Sequence, residues 1–264
     1  MAGVGIVTCQ APDFPQQTWR YRDSSRPPFD PVVFDVDALR ARGLLTGVAS
    51  AGRGGTVFFE LDGEPLVLRE FRRGGLVRHV SRRSYVQMGL ERSRAMREFA
   101  LLLELESLRL PAPVIFAARR TRRGMLETGE LVTHLLPGSS FAEQARAATA
   151  SGAATRSPWV AEPGGLPGAV GRCIARFHAA GVEHADLNAH NILVDEASGA
   201  VSLLDFDGGI RHVGVSVTPN TGWAARNLSR LARSLERLGV SSVFNDLESA
   251  WRAALQPSNP SASR

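Results

Sequence analysis

The chain contains no lysine: all 31 of its Lys and Arg positions are arginine, and it has 26 acidic residues. Mechanisms that need a lysine side chain, such as Schiff-base chemistry or a P-loop lysine, are therefore excluded or must be performed by arginine. The formal net charge is only +5, so the sequence pI of 10.4 owes as much to the high pKa of arginine as to the charge excess. Anionic partners fit this charge, but nucleic acid binding does not follow from it, and we expect none.

Cysteine is scarce, and long apolar runs are missing. Cys9 and Cys173 are too few to form a disulfide framework in a chain of 264 residues, so we expect a reduced, cytosolic protein. No run of about eighteen apolar residues occurs. Pro12, Asp13 and Pro15 interrupt the region where a secretory signal needs an apolar core. The sequence therefore predicts neither export nor a membrane-spanning helix.

The order of elements predicts an α+β fold with two lobes. Residues 1–31, rich in Pro, Gln and Ser, are predicted to be a loosely packed N-terminal extension, and residues 257–264 a disordered tail. Residues 32–136 read as a small antiparallel sheet with one helix. Residues 137–256 read as a mainly helical lobe that carries a short hairpin.

Several elements have clear local signals. Asp62-Gly63 between two apolar stretches indicates a hairpin, and Gly181 marks the end of a helix. The predicted strands are at residues 57–59, 66–71, 114–116, 131–133, 192–194 and 201–204, and the predicted helices are near residues 93–108 and 166–180 and in two stripes after residue 228. Residues 147–168 are predicted to form a surface loop.

The stretch His184–Asn191 carries the most chemical information, and Asp205-Phe206-Asp207 follows it fourteen residues after Asn191. Phosphoryl transfer needs a carboxylate that orients the attacking hydroxyl and oxygen ligands for Mg²⁺. Asp186 is the predicted base, and Asn191 and Asp205 are the predicted metal ligands. His184 and Asp207 are predicted to support the loop. The His-x-Asp-x4-Asn spacing is that of a kinase catalytic loop.

Each of these motifs is ambiguous by itself. A lone His-x-Asp often forms a polar turn, and Asp205 alone fits a strand-end cap equally well. The two motifs in register, after a helix and around a hairpin, favour the kinase interpretation.

The N-terminal half supplies candidates for nucleotide binding. In kinases a strand cation holds the α- and β-phosphates and is itself held by a helix glutamate, and Arg69 and Glu98 are the candidates here. The fork of an arginine can bind phosphate and carboxylate together. The alternatives are an exposed strand arginine and a solvated helix face, since other acidic residues share or adjoin that helix: Glu91, Glu104 and Glu106.

Two backbone segments complete the predicted nucleotide site. The turn Gly52-Arg53-Gly54-Gly55 precedes the strand pair, as a phosphate-covering loop does, although an ordinary hairpin turn would have the same composition. Thr133, His134 and Leu135 lie where a hinge between two lobes is expected. Their backbone groups are the predicted contacts of the adenine ring.

These motifs, with Leu68–Val77, resemble those of the bacterial 3-deoxy-D-manno-octulosonic acid (Kdo) kinases, relatives of the lipopolysaccharide core heptose kinases. The resemblance extends over about residues 30–255 and implies a protein-kinase-like fold. It implies ATP-dependent phosphorylation, with Mg²⁺, of the 4-hydroxyl of Kdo on a lipid A precursor, at the cytoplasmic face of the inner membrane. Asp186 matches the position that the family uses as catalytic base, and arginine at position 69 matches the family's own choice.

Further features favour a carbohydrate acceptor over a protein substrate. Ala185 stands where regulated protein kinases carry an arginine, no Ala-Pro-Glu follows Asp205, and about a dozen residues separate Gly209 from the next helix. The arginines between Arg72 and Arg83 contact anionic lipid head groups, contact the carboxylate and phosphates of the acceptor, or are simply solvated. For Arg119, Arg120, Arg122 and Arg123 solvated charge is expected. A heptose kinase and a catalytically silent pseudokinase scaffold remain alternatives.

Overall fold

The computed structural model describes residues 5–48, 55–71, 85–86, 89–150 and 165–256. By its internal contacts the chain divides into two units, Met1–Glu104 with Pro113–Leu136, and Leu105–Ala112 with Pro137–Arg264. Residues 105–112, which the sequence places in the first lobe, thus belong to the second unit. The described residues include no helix long and apolar enough to cross a bilayer.

An antiparallel sheet dominates the first unit. Within the described residues it has eight strands: β1 (Ile6–Ala11), β2 (Phe14–Arg22), β3 (Leu45–Val48), β4 (Thr56–Leu61), β5 (Glu64–Glu70), β6 (Tyr85–Val86), β7 (Ile115–Arg123) and β8 (Leu126–His134). The strands run in the order β1-β2-β7-β8-β5-β4-β3, with β6 paired to β8. The helices of this unit are α1 (Val36–Ala41) and α2 (Arg94–Ser107). The predicted β4–β5 hairpin is confirmed, and Asp62 and Gly63 at its turn both have positive φ, as such a tight turn requires.

The prediction of a loose N-terminal extension is wrong for its described part, residues 5–31. Strands β1 and β2 form a hairpin, and β2 also pairs with β7, so both strands are part of the sheet. Trp19, Tyr21 and Phe29 pack against the core of this unit, and the rings of Tyr21 and Phe29 stack with centroids 4.0 Å apart. Pro12, one of the prolines that suggested a loose segment, occupies the first position of the two-residue turn Pro12-Asp13, which its fixed φ favours.

The prediction of solvated charge on the β7–β8 hairpin is wrong for two of the four arginines. Arg119 and Arg120 lie within β7, where Arg119 pairs with Glu130 and Arg120 Nε donates to Glu127 Oε2 at 2.7 Å. Arg120 is only 4% exposed. Glu130 lies directly opposite Arg119 on β8, whereas Glu127 lies diagonally across from Arg120, which itself faces Gly129. Glutamates on the facing strand thus neutralise both arginines. Arg122 and Arg123 are exposed, as expected.

The second unit is mainly helical. Its helices are α3 (Phe141–Ala150), α4 (Gly165–Ala179), α5 (Gly222–Arg237) and α6 (Phe244–Leu255), and its short strands are β9 (Ser139–Ser140), β10 (Val182–Glu183), β11 (Ile192–Val194), β12 (Val201–Leu203) and β13 (Ile210–Arg211). Helix α3 occupies part of the predicted surface loop and has a capping box in which Ser140 and Glu143 exchange backbone hydrogen bonds. Residues 165–168 of that loop begin α4. Residues 151–164, like the predicted tail after residue 256, lie outside the described residues.

Helices α4 and α6 cross at very close range. A Cβ added at Gly171 would lie 2.2 Å from the carbonyl oxygen of Leu247 and 3.1 Å from the backbone nitrogen of Trp251. Only glycine therefore allows the two backbones to approach this closely. Cys173, on the same helix, is buried, and burial raises the pKa of its thiol to about 12, which leaves it unreactive.

Candidate catalytic site

Asp186 lies in the loop between β10 and β11, and its side chain is 59% exposed. Each carboxylate oxygen has one donor nearby: Asn188 Nδ2 is 3.0 Å from Oδ2, and Arg230 Nη1 is 3.3 Å from Oδ1. These two donors orient the carboxylate, and its exposure leaves it open to an incoming hydroxyl. The arrangement suits a group that accepts a proton from a bound alcohol.

Asn191 is fixed by hydrogen bonds to the backbone of Asp186 and Leu204. Its side-chain Nδ2 donates to the backbone oxygen of Asp186 at 2.9 Å, and its own backbone oxygen accepts from Leu204 N–H at 2.8 Å. Since Nδ2 is committed to that carbonyl, Oδ1 is the side-chain atom that Asn191 can offer to a metal. The residue is only 4% exposed, so its orientation is fixed by the loop.

Asp205 comes directly after β12 and Leu204 and has a φ of 63°. This left-handed conformation is uncommon outside glycine, and aspartate and asparagine tolerate it best. A carboxylate at Asp205 and an amide oxygen at Asn191 are the hard oxygen donors that Mg²⁺ prefers. No cluster of three or more His, Cys, Asp or Glu that could hold a metal occurs among the residues that the structure describes. Two such oxygen donors are the kind of protein ligand set with which Mg²⁺ keeps waters and substrate phosphates in its shell.

His184 joins the two predicted motifs. Its Nδ1 accepts from the Asp186 backbone N–H at 3.2 Å, and its Nε2 donates to the Leu204 backbone oxygen at 2.8 Å. Burial lowers the pKa of the imidazole, so the ring stays neutral, as one accepting and one donating nitrogen require. The side chain thus ties the base-bearing loop to the residue that precedes Asp205.

A buried clamp formed by Asn227, His178 and Trp251 holds this loop through hydrogen bonds, and the sequence analysis did not predict it. Asn227 of α5 accepts from the His184 N–H at 3.0 Å and donates to the His184 carbonyl at 2.9 Å. His178 Nε2 lies 3.3 Å from Asn227 Oδ1, and Trp251 Nε1 donates to His178 Nδ1 at 2.9 Å. One sequence pattern could have identified this contact: Asn227 and Ser234 are polar residues seven positions apart, on the same face of α5 as the apolar Leu231. Ser234 Oγ accepts from the N–H of Ala189 at 3.2 Å.

In the first unit, the structure brings Arg69 and Glu98 together. The guanidinium of Arg69 on β5 forms an ion pair with the carboxylate of Glu98 on α2. The Glu98 side chain is 3% exposed and that of Arg69 27%, so the pair is partly sheltered from water. Of the competing glutamates, Glu91 instead receives two hydrogen bonds from Arg20, which lower the pKa of Glu91.

The described end of the glycine turn lies beside this arginine. Gly55 has a φ of 118° and its carbonyl accepts from Glu70 N–H at 3.1 Å, while Thr56 faces Arg69 across the strand pair. Gly52, Arg53 and Gly54 lie outside the described residues, as does the arginine-rich segment from Arg72 to Arg83.

In the segment predicted to contact adenine, most backbone groups already form hydrogen bonds within the sheet. The N–H of His134 donates to Val114 and that of Leu135 donates to Pro65, each at 2.9 Å, and Thr133 pairs with residues on both neighbouring strands. The N–H groups of His134 and Leu135 are therefore unavailable to a ligand. Contact of this segment with adenine stays a prediction, and it is limited to backbone groups other than these two N–H groups.

Comparison with known proteins finds relatives along most of the chain. The model of the lipopolysaccharide kinase (Kdo/WaaP) family matches residues 45–252. A 3-deoxy-D-manno-octulosonic acid kinase of Xylella fastidiosa (strain 9a5c) is 37% identical over 238 residues, which are 84% of this chain and 88% of the relative. The enzyme of the same name from Xanthomonas campestris pv. campestris (strain B100) is 41% identical, over 82% of this chain and 84% of its own.

A solved structure titled "WaaP in complex with acyl carrier protein" has a similar fold. Its TM-score is 0.52 at 17% sequence identity, and the match covers 84% of this chain and 82% of that one.

Proposed function

Because this chain belongs to the lipopolysaccharide kinase (Kdo/WaaP) family, we propose that it transfers phosphate from ATP to the 4-hydroxyl of Kdo on a Kdo–lipid A precursor. The observation that carries the proposal is the catalytic loop, in which His184 connects Asp186 to the residue preceding Asp205. Relatives of 37% and 41% identity are named as kinases of this acidic sugar.

In this proposal Asp186 acts on the acceptor. Its exposed carboxylate accepts a hydrogen bond from the sugar hydroxyl, orients the oxygen for in-line attack and takes the proton as the bond to phosphorus forms. Asn188 and Arg230 hold the carboxylate in place through one hydrogen bond to each oxygen. The buried clamp formed by Asn227 keeps the loop rigid beneath it.

Arg69 and the glycine turn serve the nucleotide. Arg69 presents its guanidinium to the phosphates while Glu98 fixes its direction, because a planar fork can bind both groups at once. Gly52, Arg53, Gly54 and Gly55 cover the phosphates, and Gly55 lies next to the strand position of Arg69. The base contacts backbone carbonyls near Thr133 and Leu135 or the backbone that follows.

Mg²⁺, when bound, would neutralise negative charge on the phosphates. Asn191 through Oδ1 and Asp205 through its carboxylate are the residues that would hold it. Asp207, close behind Asp205 in sequence, is proposed to support the same loop.

We also propose that the protein is peripheral on the cytoplasmic face of the inner membrane, since a lipid-linked acceptor resides in a membrane. The arginines from Arg72 to Arg83 are the candidate contacts with anionic lipid. Vesicles containing anionic lipid should bind the protein less as salt rises, and replacing Arg72, Arg73, Arg82 and Arg83 by serine should reduce the binding. Equal binding by the quadruple variant would contradict this part.

Phosphate transfer to defined acceptors tests the function directly. The protein, ATP and Mg²⁺ are incubated with Kdo–lipid A precursor or with heptose-bearing lipid, and the products are identified by mass and by the position of the phosphate. We expect phosphate on the Kdo 4-hydroxyl, and none with Asp186→Asn. Transfer only to heptose would assign a heptose kinase, and ATP binding without turnover would assign a pseudokinase scaffold.

A further inference from the structure

A cavity of about 420 Å³ opens beside Asp186, entirely within the second unit. Pockets that hold a small organic ligand begin at about 300 Å³, so one sugar residue fits. Besides Asp186 and Asn188, its lining consists of basic and small polar side chains with one leucine: Arg146, His190, Arg230, Ser234, Arg237 and Leu238. The proposed function does not assign this cavity.

Three arginines give the cavity a strongly positive lining. Arg230 and Arg237 are seven residues apart on α5, with Ser234 between them, so all three lie on one face of the helix. Arg146 reaches the cavity from α3. No described carboxylate forms an ion pair with Arg146 or Arg237. Their charge is therefore available to an anionic ligand.

Arg230 is the arginine nearest to the proposed chemistry. One nitrogen of its guanidinium lies 3.3 Å from Asp186 Oδ1, and its side chain is 46% exposed. A guanidinium has five N–H donors in a planar fork, so Arg230 can contact Asp186 and a second carboxylate together. An acceptor hydroxyl in contact with Asp186 thus places its neighbouring substituents within reach of Arg230.

From this geometry we propose that the cavity is the acceptor subsite and that it selects an acidic sugar, with Arg230 binding the sugar carboxylate. The inference rests on the proposed function, because Kdo is an acid whose carboxylate lies on the same ring as the reacting hydroxyl. Arg146 and Arg237 bind a further anionic group of the same acceptor. Selection arises because a neutral sugar would leave the Arg230 guanidinium without a carboxylate partner from the acceptor.

The experiment compares an acidic acceptor with its neutral form. Kdo–lipid A precursor and the same molecule with the Kdo carboxylate converted to a methyl ester are used as acceptors, and KM and kcat are measured at saturating ATP. For the wild-type protein we expect the ester to raise the acceptor KM about tenfold or more, since a charge-assisted bidentate contact is lost. For Arg230→Gln, the two acceptors should have similar KM values, and Arg230→Lys should restore part of the difference.

Arg233→Gln is the matched control, since Arg233 lies on the exposed part of the same helix and does not line the cavity. It should keep the wild-type ratio between acid and ester. Arg146→Gln and Arg237→Gln should raise the acceptor KM but also keep that ratio. The KM for ATP should be unchanged in all of these variants.

Three results would overturn the inference. If Arg230→Gln lowers kcat equally for acid and ester and keeps their KM ratio, Arg230 only positions Asp186. If the KM for ATP rises instead, the cavity serves the nucleotide. If the wild-type protein phosphorylates acid and ester equally well, the carboxylate is not recognised. A wild-type protein that phosphorylates neither acceptor would contradict the proposed function itself, and the two failures are therefore distinguishable.

Discussion

At the scale of single residues, Arg69 is the proposed counterpart of the strand lysine that common kinases use. The guanidinium forms an ion pair with the nearly buried carboxylate of Glu98. We expect Arg69→Lys to lower kcat/KM about ten- to a hundredfold, since it keeps the charge and loses the fork. Arg69→Ala should cost more, and Glu98→Gln should resemble the lysine variant. Steady-state kinetics with ATP as the varied substrate measure the effect.

A double-mutant cycle decides whether the two residues act together. Residues in contact should be non-additive by about 1 kcal/mol or more. Arg122→Lys, an exposed change on β7, is the control and should behave as wild type. Strict additivity with nearly normal use of ATP would show that Arg69 is a structural strand residue, and Arg53 would then be the first arginine to test.

At Asp205 the effect of losing the charge can be measured separately from the effect of straining the backbone. Because the residue has a φ of 63°, an alanine would remove the carboxylate and also strain the loop. Asparagine tolerates this conformation, so Asp205→Asn isolates the loss of charge. We expect this variant to bind Mg²⁺–ATP more weakly than the wild-type protein in calorimetry, with ATP binding in the absence of the metal little changed. Undiminished Mg²⁺–ATP affinity would remove Asp205 from the metal site.

Residues with a chemical pattern could be predicted, and residues that act through packing could not. The spacing from His184 to Asn191 identifies the loop, because phosphoryl transfer needs those residue types in that order. Asn227 and Arg230 belong to no spacing of this kind. Their contacts with the loop are made across more than forty positions of the sequence, and they exist only once α5 has packed beneath it.

At the scale of elements, two glycines of α4, Gly171 and Gly168, allow a controlled test of how closely α4 and α6 pack. We expect Gly171→Ala to lower the free energy of unfolding by about 2 kcal/mol, because backbone atoms of α6 cannot move away from the added methyl group. A Cβ at Gly168 would instead meet the flexible end of Arg172, at 3.2 Å from Nη1, so Gly168→Ala should be neutral or slightly stabilising. Urea unfolding followed by circular dichroism compares them, and equal effects would refute the close-contact explanation.

Element prediction succeeded where local chemistry dictates the structure and failed where pairing partners are distant. Asp62-Gly63 forms the predicted hairpin turn, and Gly181 ends α4 with a φ of 74°. Strand β2 was missed because its sequence is largely polar: its hairpin partner β1 is adjacent in the chain, but the strand that places it inside the sheet, β7, lies about a hundred residues away. Arg119 and Arg120 are neutralised instead by Glu130 and Glu127 of β8, the strand that follows β7 in the chain.

At the scale of the whole molecule, the buried histidines predict how stability depends on pH. Burial lowers the pKa of His178 from 6.5 to about 4, and it also lowers the pKa of His184. Between pH 6.5 and 4 the unfolded chain therefore binds protons that the folded chain does not. The free energy of unfolding should fall as the pH falls through this range, by at most about 1.4 kcal/mol per pH unit for each histidine.

Denaturant unfolding at several pH values measures this slope. His178→Gln removes one of the two groups, so its stability should fall less steeply than that of the wild-type protein between pH 6.5 and 4. An unchanged slope would show that His178 is protonated in the folded protein, which its acceptance of a hydrogen bond from Trp251 argues against.

The partnership of Arg69 with Glu98 also determines how the protein would respond to chemical labelling. Nucleotide analogues with an acyl-phosphate group mark kinases by acylating the amine of the strand lysine, and a protonated guanidinium is not a nucleophile for that reaction. With arginine at this position and no lysine side chain anywhere in the sequence, a survey of ATP-binding proteins by such reagents would pass over this one. Arg69→Lys would install the chain's single lysine against Glu98, and the labelled peptide would then report where the nucleotide phosphates lie.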